Sequence, residues 1–122
     1  MNDRTEGSKR SDTTSALRTK HCAPCEGGTQ PLGPEAVSRL LRDLNGWERV
    51  GNEISKTYNF KNYYEVISFV NAIAWLSHKE GHHPDLEVGF QNCRVRYSTH
   101  AIGGVSENDF ICAAKVDALI LS

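Results

Sequence analysis

No stretch of the 122-residue sequence approaches the ~18 consecutive apolar residues of a membrane-spanning helix, so no such span is expected. Cysteine is scarce. Cys22, Cys25, Cys93 and Cys112 are too few for a disulfide scaffold, and no apolar segment follows the N-terminal charges as a secretory signal requires. Excess charge is lacking too: 14 Lys+Arg stand against 15 Asp+Glu, a net charge of -1. That balance offers neither a nucleic-acid footprint nor a polybasic membrane anchor. Apolar residues are themselves scarce at the front, with only six in residues 1–31. The expected organisation is a flexible polar tail over 1–31, holding the Cys22-x-x-Cys25 segment, and a single domain over 32–122. So small a core gains from oligomerisation that buries more surface. The expected compartment is the reducing cytoplasm. The seven Ser/Thr and five Lys/Arg of residues 1–20 suggest an organellar transit peptide as the alternative, but Asp3, Glu6 and Asp12 argue against it.

What is present is periodic. Pro34 suits a first helical position, and Val37, Leu40, Leu41 and Leu44 form a helical stripe that Asn45-Gly46 ends. From Ile54 to Phe60 apolar and polar residues alternate, predicting a half-buried strand with Ile54, Tyr58 and Phe60 on one face. Asn62 and Glu65 form a capping-box variant for a second helix, which runs to about Lys79 and stops at Gly81, with Pro84 forbidding continuation. Leu86, Val88 and Phe90, then Cys93, Val95 and Tyr97, read as a hairpin about Gln91-Asn92. Ser106-x-x-Asp109 caps a last helix. The expected fold is α+β: an antiparallel sheet of about four strands with three helices on one face, in the order α-β-β-α-β-β-α.

Four of the five histidines, His78, His82, His83 and His100, lie between positions 78 and 100. Two chemistries fit this cluster. His78 and His82 stand at i, i+4, a spacing that lets two imidazoles share a zinc, with His83 or His100 as further ligand. Alternatively, imidazoles that titrate near neutrality act as general acid and base, presented by the turn that Pro84 stiffens. A partner for the Cys22-x-x-Cys25 pair is not evident. No βαβ unit follows for a redox motif, and only His21 is near as a further metal ligand. Arg94 and Arg96 share a polar strand face, open to solvent, a subunit or a ligand. The alanines Ala113, Ala114 and Ala118 allow another helix to approach the last one closely.

The ordered set His82-His83-Pro84, Phe90, His100 and Asp109, with gaps of five, nine and eight residues, resembles the pterin-4a-carbinolamine dehydratase family. Trp47, Phe60-Lys61, Phe69-Val70, Thr99-His100 and the run Gly103 to Asp109 extend the likeness over Leu32 to Leu119. The Cys22–Gly28 segment is similar to the lead of bacterial-type members. The resemblance implies dehydration of a 4a-hydroxytetrahydropterin to quinonoid dihydropterin and water, with no metal, cofactor or covalent nucleophile. That step recycles the pterin of aromatic amino acid hydroxylases. It implies His82, His83 and His100 as active-site imidazoles: His83 protonating the departing hydroxyl, and His82 or His100 serving N5. Asp109 would orient His100, or simply cap its helix. Dimers or tetramers are implied, and so is a second, non-enzymatic class, since some members bind a transcription factor's dimerisation helices. A histidine-ligated zinc hydrolase is the third alternative. Position 78 departs from the family, which usually has an acid there, and position 81 is Gly where some members have Asp. His78 is thus either a fourth site imidazole or part of a solvated helix face.

Overall fold

The computed structural model describes residues 16–24 and 29–121, the last of these by its backbone alone. The considered transit segment up to residue 15, and Cys25 of the Cys-x-x-Cys pair, lie outside the described residues.

The elements follow in the order α1 (Pro34–Leu41), β1 (Glu48–Val50), β2 (Glu53–Asn59), α2 (Tyr63–Glu80), β3 (Asp85–Val88), β4 (Asn92–Tyr97), a 3-10 turn (His100–Ile102) and α3 (Glu107–Leu121). The four strands form one antiparallel sheet in the order β1-β2-β4-β3, which makes the fold α+β as expected. The expected α1, β2, α2 and α3 are all present. The fourth strand, which sequence periodicity did not locate, is β1; all three of its residues are exposed, so it carries no alternation to detect.

One face of the sheet is apolar. Register places Ile54 beside Tyr97, Tyr58 beside Cys93, and Leu86 beside Val95. These side chains join Val66, Phe69 and Ile73 of α2 and Phe110, Ile111, Ala113, Ala114 and Val116 of α3 in a single core. Each Val, Ile or Phe side chain among them contributes about 1.5–3 kcal/mol through burial. Val88 and Phe90, expected to continue this stripe, are exposed at the hairpin end, where Phe90 stacks on Tyr63 at 6.3 Å. Ala113 and Ala114 are wholly buried in the chain's own core, so they offer no surface to a helix of another copy. The opposite sheet face carries Arg94 and Arg96, which form ion pairs with Glu87 and Glu53 at 3.6–3.8 Å.

One acid ties the sheet to α3. Asp117 accepts hydrogen bonds from Trp47 Nε1 (3.2 Å to each oxygen), from Lys56 Nζ (2.9 Å) and from the Tyr58 hydroxyl. Residues 16–24, which sequence composition assigned to the flexible tail, lie against the domain. Leu17 is buried, Lys115 Nζ donates to the Arg18 carbonyl at 2.6 Å, and Lys20 pairs with Glu107 at 2.7 Å. A buried leucine, ion pairs and contacts to backbone groups hold this strap, and none of them leaves a periodic signature in the sequence.

Candidate active site

The site begins where α2 ends. Gly81 adopts the left-handed conformation (φ 66, ψ 28), which costs a residue without a Cβ nothing, and both Gly81 N and His82 N donate to the Ser77 carbonyl. The reversal turns His82 into the protein. Its Nε2 meets Asp109 Oδ1 at 2.6 Å, and its ring lies flat on Tyr97, with centroids 5.7 Å apart and an interplanar angle of 11°.

Asp109 is fully buried and fully engaged. Its Oδ2 accepts from Thr99 Oγ1 at 2.8 Å and from Ser106 N at 2.9 Å. The Thr99 hydroxyl spends its proton on Asp109, so the Ser106 hydroxyl donates to Thr99 Oγ1 (2.8 Å) and itself accepts from Asn108 N (3.2 Å). The Ser-x-x-Asp box therefore caps α3 while its carboxylate faces an imidazole, so the capping and orienting roles are held together. The Asp109 hydrogen bond raises the His82 pKa above the ordinary imidazole value; burial opposes this but does not prevail.

The imidazole that Asp109 orients is His82, not His100. His100 opens the 3-10 turn after β4, whose close is the left-handed Gly103 (φ 69), and it stands exposed. Both Asp109 oxygens are already taken on the side facing Thr99 and His82. His83 is also exposed; its Nδ1 lies 3.3 Å from the Pro84 carbonyl, which can only accept, so Nδ1 carries a proton there and any exchange of a proton with a ligand falls to Nε2.

His82, His83 and His100 line one cleft of about 450 Å³. The remaining wall includes Cys22, Ala23 and Pro24 of the strap, together with Glu80, Thr99 and Asn108. His78 is not part of it. It projects from the exposed face of α2 and packs on Trp75 at 5.3 Å. The zinc geometry fails for the same reason: α2 stops at Glu80 and Gly81 reverses the chain, so His78 and His82 do not share a helix face. Among the described residues no group of three or more His, Cys, Asp or Glu is placed to hold a metal ion.

Two residues that sequence reasoning passed over fix the strap wall. Asn108 exchanges a pair of hydrogen bonds with the Ala23 backbone, at 3.0 and 2.7 Å. Glu80 accepts from Cys22 N at 2.9 Å and meets His21 Nδ1 at 3.0 Å, with Lys115 Nζ 3.6 Å away. Burial pushes its carboxyl pKa up, but these donors outweigh burial and hold it below the usual carboxylate range. One sequence signal did exist: an acid in the last turn of a helix opposes the macrodipole and calls for compensating donors. Cys22 itself packs on Cys112, Sγ to Sγ 3.5 Å.

The family described as Pterin 4 alpha carbinolamine dehydratase matches residues 30–119. A Nitrosospira multiformis protein named "Putative pterin-4-alpha-carbinolamine dehydratase" is 58% identical over 109 residues, covering 88% of this chain and 96% of its own length. One of the same name from Nitrosomonas europaea is 60% identical over 107 residues, covering 87% and 95%. Among solved structures, a "transcriptional coactivator/pterin dehydratase" from Brucella melitensis superposes with a TM-score of 0.71 at 28% identity, covering 74% of this chain and 98% of that one. A pterin dehydratase-like protein described as a RuBisCO assembly factor in the alpha-carboxysome gives a TM-score of 0.51 at 26% identity, over 60% and 84%.

Proposed function

The chain belongs to the pterin-4-alpha-carbinolamine dehydratase family, and on that footing we propose that it removes water from a 4a-hydroxytetrahydropterin by histidine acid/base chemistry. The observation that carries this reading is the convergence of three imidazoles on one cleft, one of them fixed by a buried carboxylate. In the substrate the N5 lone pair expels the hydroxyl from the adjacent carbon, so one group must protonate the departing oxygen and another must take the N5 proton. A base must be neutral. Asp109 favours the protonated form of His82, which suits it to donate from Nδ1 to the bound pterin, and the two proton transfers fall to the exposed pair, His83 at the departing hydroxyl and His100 at N5. The product is the quinonoid dihydropterin that aromatic amino acid hydroxylases require in reduced form, so this reading links the chain functionally to such an enzyme.

The test is the rate of quinonoid dihydropterin formation from the 4a-hydroxy substrate. His83→Ala and His100→Ala each lower it by about 10²-fold or more, whereas His78→Ala, outside the cleft, has little effect. Equal losses at His83 and His78 would overturn the assignment.

A second reading is a binding protein on the same fold, favoured by the exposed aromatic face of α2, with Tyr64 and Trp75, and by the coactivator described for the Brucella melitensis structure. Substituting His82, His83 and His100 together separates the two: it removes dehydration and leaves binding by the helix surface intact. The same α2 face is the surface we assign to self-association.

A further inference from the structure

We propose that Cys22 and Cys112 form an oxidisable dithiol that a hydroperoxide converts to a disulfide, tying the strap that walls the cleft to α3. The two thiols belong to segments ninety residues apart in sequence, yet their sulfurs lie 3.5 Å apart. Closing to a disulfide of ~2.05 Å needs a movement of about 1.5 Å. Cys22 lies on the cleft wall and is partly exposed, which gives an oxidant access, whereas Cys112 is fully buried behind it. Cys93, also buried, lies on the sheet face of the core.

Access assigns their roles, since an oxidant in the cleft reaches Cys22 and not the buried Cys112, and the polarity of the pair acts in the same direction. The Cys112 thiol hydrogen bond holds the Cys22 pKa below the ordinary thiol value and His82 acts in the same direction; burial, Glu80 and Asp109 oppose it. Cys112, by contrast, is pushed up by that same bond and by burial. Cys22 is therefore the attacking thiolate and Cys112 the resolving thiol. The Cys22 thiolate attacks one peroxide oxygen, the O–O bond breaks, and the leaving oxygen takes up the thiol proton as water or alcohol. Cys22 is then a sulfenic acid. Cys112 attacks the Cys22 sulfur, the S–O bond breaks, and hydroxide leaves with the Cys112 proton as water. Two thiols lose two electrons and the peroxide gains them.

The test treats the full chain with stoichiometric hydrogen peroxide, alkylates the remaining thiols under denaturing conditions, and maps unreduced peptides by mass spectrometry. The expected product is a Cys22–Cys112 crosslink, formed equally in Cys25→Ser, with slowed amide exchange across residues 16–24. In Cys112→Ala, oxidation stops at a Cys22 sulfenic acid that a dimedone-type reagent traps. Cys22→Ser, a change at the partly exposed strap, removes the crosslink without altering the core. A Cys22–Cys25 crosslink in the wild-type chain, or Cys22 and Cys112 both still alkylated after peroxide, would overturn the proposal. Neither result depends on dehydratase activity.

Discussion

At the scale of single residues, the site turns on one carboxylate that serves two masters. Asp109 satisfies the first turn of α3 and the His82 imidazole at once, and the hydrogen bond to His82 is what raises that histidine's pKa. Asp109→Asn removes the charge but keeps the shape, leaving burial opposed only by the Cys22 thiol at His82. The ring resonances of His82 should then titrate below those of the wild-type chain; an unchanged midpoint would refute the pairing. Stability follows with a definite sign. The folded value lies above the ~6.5 of free imidazole, so the pair contributes fully below that pH, and its contribution fades as pH rises through the folded value. Thermal melts of wild type and His82→Gln should therefore draw together as pH rises; a gap that widens would contradict the assignment. The sequence displayed Asp109 as a cap through its spacing from Ser106, and displayed the histidines through their clustering. It could not show which imidazole the carboxylate meets. That choice rests on a contact across twenty-seven residues, made by the reversal at Gly81 and the stacking on Tyr97.

At the scale of elements, local signals were legible wherever local physics decides. The second helix starts where Asn62 accepts from Glu65 N and Glu65 reaches back to Lys61 N, and it ends at Gly81, as the residue types required. Gly81→Ala keeps open space around the new methyl group but forces it into the left-handed region, at a cost of about 1 kcal/mol. The melting temperature should fall by about 5 °C. Turnover should fall further than that loss explains, because the same turn aims His82; melting without loss of turnover would deny Gly81 the aiming role. Elements joined at long range were not legible. Trp47, Lys56, Tyr58 and Asp117 are separated by up to seventy residues, and no spacing rule unites them, yet they make one polar junction between the sheet and α3. Asp117→Ala leaves the buried Trp47 and Tyr58 donors without their acceptor and the Lys56 ammonium with only the Asn45 carbonyl, which costs about 2–3 kcal/mol and lowers the melting temperature by about 10 °C or more. A loss under about 3 °C would mean that water replaces the carboxylate.

At the scale of the whole molecule, the uneven spread of apolar residues resolves into a core and an uncovered face. Two of the three alanines of α3 that suggested helix–helix contact, Ala113 and Ala114, are consumed inside the chain and Ala118 is half-buried, which turns attention to other surface for self-association. Tyr64 (79% exposed) and Trp75 (64% exposed) stand eleven residues apart on α2, about three helical turns, and therefore on one face. Large exposed aromatics aligned in this way are the surface that a second copy can cover. We expect sedimentation equilibrium at micromolar concentration to give a multiple of 13.6 kDa, with a tetramer as the principal species. Of the two tryptophans Trp47 is already buried, so a blue shift on assembly would report Trp75 alone. Trp75→Glu places a charge in that contact and should return the chain toward 13.6 kDa while leaving its melting cooperative. A wild-type monomer at these concentrations would refute assembly altogether. An oligomer that Trp75→Glu leaves intact would move the contact off this face of α2, leaving the unpaired edges of β1 and β3 as the next surface to examine.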